Sequence, residues 1–241
     1  MNGLEKKIAL ITGAGSGVGR ATAVALAREG ATAVLVGRRR EPLEETARLV
    51  KAAGGRSLVA PSDVSVEASV REIVEGARQT LGAEINILVA AAGVGLYGPV
   101  ADYSLADWQA TLATNLTGVF LCCREVLPGM RATGAGAIVA IGSGAGKQGY
   151  ANLAAYSASK FGLIGLMQSL AAEVGDQGIK VGTILPGSIA SEFAGKQMAD
   201  VEAGRAAGRS YLEPEDVADA VVFLLRQPAR AWTQELNLWP R

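Results

Sequence analysis

The chain has 241 residues, 49% of them hydrophobic, which is enough to form one large α/β domain with a sizeable core. Its 23 lysines and arginines balance 23 aspartates and glutamates, so the charge favours neither a nucleic acid nor a membrane surface as a partner. The absence of histidine excludes a histidine general base, a Ser–His triad and imidazole metal ligands, and we expect no metal site.

The cysteine content and the hydropathy pattern indicate a cytoplasmic protein. Cys122 and Cys123 are adjacent, so an ordinary structural disulfide between them is excluded, and we expect both to be buried thiols in a reducing compartment. The N-terminal residues show no secretory signal pattern. No apolar run approaches the ~18 residues of a membrane span, so we expect no membrane partner.

A nucleotide-binding loop is predicted near the start of the chain. A short apolar run at residues 8–11 predicts a buried parallel strand, and a helical pattern extends from about residue 20 to 29. The loop between them, at residues 13–19, is rich in glycine. Glycines allow the backbone to approach a pyrophosphate, and the helix N-terminus supplies N–H groups and a partial positive charge.

The spacing of the glycines and the second strand narrow the choice of nucleotide. No lysine follows the glycines, which excludes a P-loop, and Val18 occupies the third glycine position of Gly-x-Gly-x-x-Gly. A Gly-x-Gly-x-Gly string leaves an S-adenosylmethionine methyltransferase as an alternative. The strand predicted at residues 33–36 is followed by Arg38 and Arg39, and no acid comes before Glu41. Arginine suits a 2′-phosphate, so NADP(H) is favoured over NAD(H) and over S-adenosylmethionine, although a solvated basic turn would look similar.

Repeated strand–helix units continue along the chain and predict the fold. Strands are expected at residues 57–60, 85–90, 137–142 and 180–185, with helices at about 42–53, 67 onward, 105–123 and 156–173. The pattern predicts a single α/β domain over residues 1–241, a three-layer doubly wound parallel sheet of the Rossmann type. Ligands of such sheets bind at the carboxyl ends of the strands. Asp63 lies at such an end, where it could accept from an adenine amine or N-cap the next helix.

A phenol and an ammonium are predicted to meet on one helix. Tyr156 and Lys160 are four residues apart and therefore share a helical face. Their unperturbed pKa values are about 10 and 10.4, and a positive charge beside the phenol would lower its pKa toward working pH. Ser143 ends a predicted strand at the same edge, and Asn115 is a polar residue in an apolar helix, where burial requires hydrogen-bond partners.

These motifs together resemble the short-chain dehydrogenase/reductase family over essentially the whole chain. The resemblance rests on TGAGSGVG at residues 12–19, NLTG at 115–118, YSASK at 156–160, Pro186-Gly187 and the positions of Asp63 and Ser143. It implies a catalytic tetrad of Asn115, Ser143, Tyr156 and Lys160. It also implies cofactor contacts from the following residues: Gly13, Ser16, Gly17, Val18, Gly19, Arg38, Arg39, Asp63, Val64, Ala90, Gly93, Tyr156, Lys160, Pro186, Gly187, Ile189 and Ser191.

The resemblance carries expectations about cofactor and substrate. In the family, an arginine at the position of Arg38 is associated with a preference for NADP(H). Ser16 stands where some members have a second basic residue. The usual Asn-Asn-Ala-Gly is Ala-Ala-Ala-Gly at residues 90–93, which removes a polar ribose contact. The ending at residues 232–240, with Trp232 and Trp239, is similar to NADP-dependent hydroxy-acid and serine-type dehydrogenases. A 3-oxoacyl-(acyl-carrier-protein) reductase is therefore the second choice of substrate class.

The implied reaction is reversible hydride transfer between NADP(H) and a small-molecule carbonyl or secondary alcohol, with Tyr156 as general acid and base. A non-catalytic dinucleotide sensor is the rival, but such proteins typically lack the tyrosine or lysine. Residues 190–210 are expected to form a substrate lid, and the family typically forms homotetramers or homodimers. The expected pocket residues are Ser143, Tyr156, Leu96, Tyr97, Gln148, Tyr150 and Phe193.

Overall fold

The computed structural model describes residues 4–241, which form one seven-stranded, wholly parallel sheet in the order β3-β2-β1-β4-β5-β6-β7. The strand order reverses direction between β1 and β4, which confirms the predicted doubly wound sheet. The strands are β1 Ile8–Thr12, β2 Thr32–Gly37, β3 Arg56–Pro61, β4 Ile87–Ala90, β5 Gly136–Ile141, β6 Ile179–Pro186 and β7 Glu235–Leu238.

Helices cover both faces of the sheet and make the three layers. The helices are α1 Gly17–Arg28, α2 Arg40–Ala52, α3 Glu67–Leu81, α4 Leu105–Leu112, α5 Gly118–Thr133, α6 Ala154–Val174, α7 Met198–Ala206 and α8 Pro214–Leu225. Buried side chains of α1, α2 and α8 pack on one face, and those of α3, α5 and α6 pack on the other. Because both faces are covered, the central strands are continuous apolar runs, and every residue of β1 and β4 is buried.

The differences from the predicted elements lie at boundaries and at the C-terminal end. The helix predicted at 105–123 reaches Thr133 and is interrupted by a π-helical turn at Ala113–Thr117. Residues 190–210, which are expected to form the lid, contain α7, and the chain after them forms α8 and β7. The sequence pattern predicted none of these three elements.

Three predicted properties of the chain can be compared with the described residues. Cys122 and Cys123 are buried and free, and burial raises the pKa of the Cys122 thiol to about 12. Among residues 4–241, no helix is both long and apolar enough to span a bilayer. The same residues contain no group of three or more potential metal-ligating side chains.

Candidate active site

The glycine loop after β1 is packed tightly against the loop after β4. Gly13 has a φ of +67°, and a Cβ built on it would lie 2.8 Å from the carbonyl oxygen of Ala91. The Thr12 hydroxyl accepts hydrogen bonds from the backbone N–H groups of Ala91 and Ala92 at 3.1 and 3.0 Å. A Cβ on Gly19 would collide with the Gly13 carbonyl. Both glycines are therefore required by the close approach of backbone.

The N-terminus of α1 faces the open side of this loop. Ser16 is the N-cap residue, and its side chain makes no capping hydrogen bond. Gly17 has a φ of +48°, and a Cβ built on it would lie 3.9 Å from Cβ of Ser191. The segment after β6 thus reaches the glycine loop. Val18 packs on the core face of α1.

A cleft of about 150 Å³ lies at the carboxyl ends of β1, β2 and β4. A larger cavity of about 720 Å³ lies at the opposite edge, beside Lys6, Lys51 and Arg56, and contains none of the predicted site residues. The cleft at the carboxyl edge is therefore the candidate nucleotide site. Its lining includes these predicted cofactor residues: Gly13, Ser16, Arg38, Arg39, Asp63, Val64 and Gly93.

The basic residues after β2 are exposed at this cleft. Arg40 pairs with Glu44 at 3.7 Å, whereas Arg38 and Arg39 make no ion pair within residues 4–241. Their guanidinium groups are available to an anion. Ser62 lines the same cleft, and its Oγ is buried without a hydrogen-bond partner in the described chain. Ser62 was not among the predicted site residues. Its position at the end of β3, directly before Asp63, could have indicated that it lies at the cleft.

Asp63 does not cap α3, so the capping alternative is wrong. The N-cap residue is Val66, and the Asp63 carboxylate accepts from the Ser65 N–H at 2.9 Å and the Ser65 hydroxyl at 2.7 Å. The hydroxyl bond lowers the pKa of Asp63 most, and Arg38 adds a smaller lowering. Val64 is buried against α5, where a side chain on Gly118 would meet it at 2.9 Å.

Asn115 lies fully buried inside the π-helical turn between α4 and α5. Its Oδ1 accepts from the Val94 N–H at 2.8 Å, and its Nδ2 donates to the Val94 carbonyl at 2.9 Å. Nδ2 also donates to Oγ of Ser159 at 3.1 Å, and that hydroxyl donates to the Tyr156 carbonyl at 2.7 Å. One side chain therefore joins the loop after β4 to the helix that carries Tyr156 and Lys160.

Ser143 and Tyr156 meet at the end of β5. The Ser143 hydroxyl accepts from the Ala145 N–H at 3.1 Å and caps a short 3₁₀ turn. Tyr156 is 9% exposed. Burial raises the pKa of its phenol, and a hydrogen bond with Ser143 lowers it by a smaller amount.

The predicted lowering of the Tyr156 pKa by Lys160 is wrong for this arrangement. Lys160 is buried, and its ammonium donates to the Ile141 carbonyl at 2.8 Å, 5.7 Å from the centroid of the Tyr156 ring. The helical spacing brings the two residues together, but burial is the main influence on the pKa of each. Burial also lowers the pKa of Lys160 from 10.5 to about 8.

An aromatic cluster surrounds the Tyr156 ring. Tyr97 packs edge-on against it and Phe193 packs at a tilt, each with ring centroids 5.8 Å away. Burial raises the pKa of the Tyr97 phenol, and Tyr156 adds to that effect. Phe193 also closes over the loop after β4, 3.7 Å from a Cβ built on Gly93. Of the predicted pocket residues, Tyr97 and Phe193 therefore lie against the Tyr156 ring, and Ser143 interacts with its phenol.

The other predicted pocket residues lie on neighbouring loops. Leu96, Gln148 and Tyr150 are exposed, and the loops that carry them are joined by a hydrogen bond from the Gly98 N–H to the Asn152 carbonyl at 2.9 Å.

The predicted cofactor residues after β6 also reach the carboxyl edge. Pro186 ends β6, and the Gly187 N–H donates to the Leu238 carbonyl at 2.8 Å. Ile189 forms a parallel bridge with Leu212, which closes the base of the lid segment. Ala90 is buried at the end of β4. Ala90 itself does not line the cleft, whereas Ala92, Gly93 and Val94 do.

A candidate nucleotide cleft and a buried tyrosine–lysine pair both lie at the carboxyl edge of the sheet, as a dehydrogenase requires. The family profile described as "short chain dehydrogenase" matches residues 7–202. This chain is a short-chain dehydrogenase/reductase. The family assignment makes it an oxidoreductase of the alcohol–carbonyl class, as predicted.

Similar proteins of this family span different lengths. Glycine betaine reductase ATRR of Emericella nidulans is 38% identical over 242 residues, covering 99% of this chain and 19% of that protein. The chain therefore corresponds to less than a fifth of that multidomain-length relative. The 2-(S)-hydroxypropyl-CoM dehydrogenase 3 of Xanthobacter autotrophicus is 35% identical over 238 residues, covering 95% of this chain and 92% of the relative.

A solved structure gives the same picture of the fold. A metagenomic short-chain oxidoreductase in complex with NADP superposes with a TM-score of 0.86 at 33% identity, covering 100% of this chain and 99% of that one. The short-chain dehydrogenase/reductase fold therefore extends over the entire described chain.

Proposed function

We propose that this short-chain dehydrogenase/reductase transfers hydride reversibly between NADP(H) and a carbonyl or secondary alcohol of a small molecule. The observation that carries the proposal is the cluster of half-buried Ser143 with buried Tyr156 and Lys160, at the strand edge that also holds the candidate nucleotide cleft. A proton-handling phenol beside a dinucleotide site is what this reaction requires.

The residues of the cleft fit a dinucleotide phosphate. Gly13 and Gly19 allow the loop to pack tightly on its own backbone and on the loop after β4, and Ser16, the N-cap residue of α1, lines the cleft. The unpaired Ser62 hydroxyl supplies a polar group within the cleft. Arg38 and Arg39 are exposed at its rim and would bind the 2′-phosphate, which supports NADP(H) over NAD(H). When bound, the nicotinamide supplies or accepts the hydride.

The protein residues handle the proton and the developing charge. Tyr156 donates a proton to the carbonyl oxygen in reduction and removes it from the alcohol in oxidation. Ser143, whose interaction with the phenol lowers the pKa of Tyr156, donates to the same oxygen as negative charge develops. Lys160, whose ammonium lies 5.7 Å from the centroid of the Tyr156 ring, would hold the nicotinamide ribose.

Asn115 has a positioning role in this scheme. Its bonds to Val94 and Ser159 hold the loop after β4 against α6.

The substrate is a small hydroxy or oxo compound that fits beside Tyr97, Phe193 and Tyr156. One relative is by its name a dehydrogenase of 2-(S)-hydroxypropyl-CoM, and the NADP complex supports the choice of cofactor. A 3-oxoacyl-(acyl-carrier-protein) reductase is retained as the second substrate class, because the exposed Leu96 and Tyr150 would suit a longer chain.

The experiment is a panel of ketones, aldehydes, oxoacyl thioesters and hydroxy acids, followed through NADPH and NADH absorbance. Turnover of any carbonyl with a preference for NADPH is the expected result. Tight NADPH binding without turnover on the whole panel would favour the dinucleotide sensor instead. Preference for oxoacyl thioesters would select the second substrate class.

We further propose that the chain forms a homotetramer or homodimer in the cytoplasm, and that residues 190–210 act as the lid. Exposed apolar residues on α4, α5 and α6 support the oligomer: Leu105, Trp108, Phe120 and Phe161. The two free cysteines fit a reducing compartment. Light scattering after size exclusion tests the assembly, and a monomer at assay concentration would contradict it.

A further inference from the structure

The C-terminal tail returns to the candidate active site through Trp239. This residue follows β7, and 56% of its side-chain surface is exposed. The six-membered ring nevertheless contacts two glycines. A Cβ built on Gly144 would lie 2.6 Å from Cη2 of the indole, and one built on Gly187 would lie 2.8 Å from Cε3. Both distances are shorter than real contacts, so the ring fits only because neither residue has a side chain.

These two glycines belong to the two loops that flank the reacting centre. Gly144 directly follows Ser143 and begins the 3₁₀ turn, and Gly187 directly follows Pro186 at the end of β6. The edge of a single indole therefore bridges the loop after β5 and the loop after β6.

The tail is fastened to the same loops by two polar contacts. Lys147, at the end of the 3₁₀ turn, pairs with Glu235 of β7 at 2.6 Å. The Gly187 N–H donates to the Leu238 carbonyl at 2.8 Å. Each of these contacts holds the tail against one loop. The indole, in contrast, contacts both loops.

The backbone around Ser143 needs such a support. Gly142 and Gly144 stand on either side of Ser143, and glycine loses more conformational freedom on ordering than any other residue. A side chain on Gly142 would collide with Leu185, so that glycine is required by packing against β6. Ordering two glycines beside Ser143 is entropically costly, so packing contacts to this loop contribute to the placement of its hydroxyl.

We propose that Trp239 is a positioning residue that fixes the Ser143 loop relative to the Pro186-Gly187 loop. The inference rests on the proposed function for its kinetic consequence. Because Trp239 is not among the residues that line the nucleotide cleft, its removal should affect the geometry around the carbonyl oxygen and leave adenine-side binding in place. A small displacement of a catalytic group costs up to about 10²-fold in rate.

The test compares Trp239→Ala, Trp239→Phe and Phe223→Ala. Phe223 is a matched control because its side chain is 54% exposed and lies on α8, away from the site. We expect Trp239→Ala to lower kcat by about 10- to 100-fold with the KM for NADPH near the wild-type value. Trp239→Phe restores most of kcat because a ring still spans the glycines, and Phe223→Ala behaves as wild type. Equal kcat values for Trp239→Ala and Phe223→Ala would overturn the proposal.

Hydrogen exchange provides a readout that needs neither cofactor nor turnover. In Trp239→Ala, peptides covering residues 142–148 and 186–190 should exchange faster than in wild type, while one covering 32–37 should not change. Unchanged exchange in the two loops overturns the proposal. So does a changed oligomeric state in light scattering, which would assign the indole to a subunit interface. If wild type turns over no carbonyl, the proposed function fails, and the exchange experiment alone decides whether Trp239 fixes the loops.

Discussion

Replacing Asn115 by alanine removes three hydrogen bonds from the centre of the proposed site. The lost bonds are those to the Val94 N–H, the Val94 carbonyl and the Ser159 hydroxyl, at 2.8, 2.9 and 3.1 Å. A buried hydrogen bond contributes about 1 kcal/mol net, so the free energy of unfolding should fall by about 3 kcal/mol. For a chain of this length that corresponds to a fall in Tm of about 6–12 °C.

The same substitution should also lower turnover, because two elements of the site lose their connection. Ser159 lies between Tyr156 and Lys160 on α6, and Val94 follows the glycine that faces Phe193. We expect kcat to fall by at least about 10-fold when it is measured well below the unfolding transition.

Asn86→Ala is the matched control. The Asn86 side chain accepts one hydrogen bond, from the Ile8 N–H at 2.9 Å, at the amino edge of the sheet. Its loss should lower stability by about 1 kcal/mol and leave kcat unchanged. Chemical denaturation measures the stabilities, and NADPH oxidation with the best carbonyl of the panel measures turnover. A kcat for Asn115→Ala equal to that of Asn86→Ala would refute the positioning role.

Three further changes test the cofactor cleft and the buried lysine. Arg38→Asp should shift the ratio of specificity constants toward NADH by about 10- to 100-fold, since a charged hydrogen bond is worth about 1.5–3 kcal/mol; an unchanged ratio places the 2′-phosphate elsewhere. Gly13→Ala should abolish NADPH binding in calorimetry and destabilise the fold by more than about 1 kcal/mol, because φ is +67° and Ala91 leaves no space; wild-type affinity would contradict this. The free energy of unfolding of wild type relative to Lys160→Met should rise with pH between about 8 and 10.5, since the unfolded chain holds the lysine proton to higher pH than the folded protein. The expected gain is about 3 kcal/mol, and parallel pH profiles would show that Lys160 is not desolvated.

The central strands were predictable because burial on both faces leaves a simple signal. β1 and β4 are entirely buried, so each is a continuous apolar run ended by a glycine-containing loop. β7 has no such signal, since it is a four-residue edge strand with partly exposed side chains. The π-helical turn was also not predicted; it contains Asn115, whose bonds to Val94 and Ser159 form only on folding and leave no local sequence signal.

The position of the site followed from the sequence, but its electrostatics did not. Ser143 follows a strand, and the spacing of Tyr156 and Lys160 places both on one helical face, so topology alone brings them to the carboxyl edge. Burial raises the pKa of Tyr156, and the extent of burial cannot be inferred from the spacing of Tyr156 and Lys160 in the sequence. Phe193 reaches Tyr156 from the segment proposed as the lid. In that segment Ala194 has a φ of +62°, a conformation that the sequence pattern does not predict.

Proton transfer by Tyr156 is the central claim, and Tyr156→Phe tests it most directly. The substitution removes the hydroxyl and keeps the ring between Tyr97 and Phe193. NADPH affinity is measured by calorimetry and carbonyl reduction by NADPH absorbance on the same preparation. We predict a dissociation constant near that of wild type and a fall in kcat of about 10²- to 10⁴-fold. Turnover retained at the wild-type rate would contradict the account.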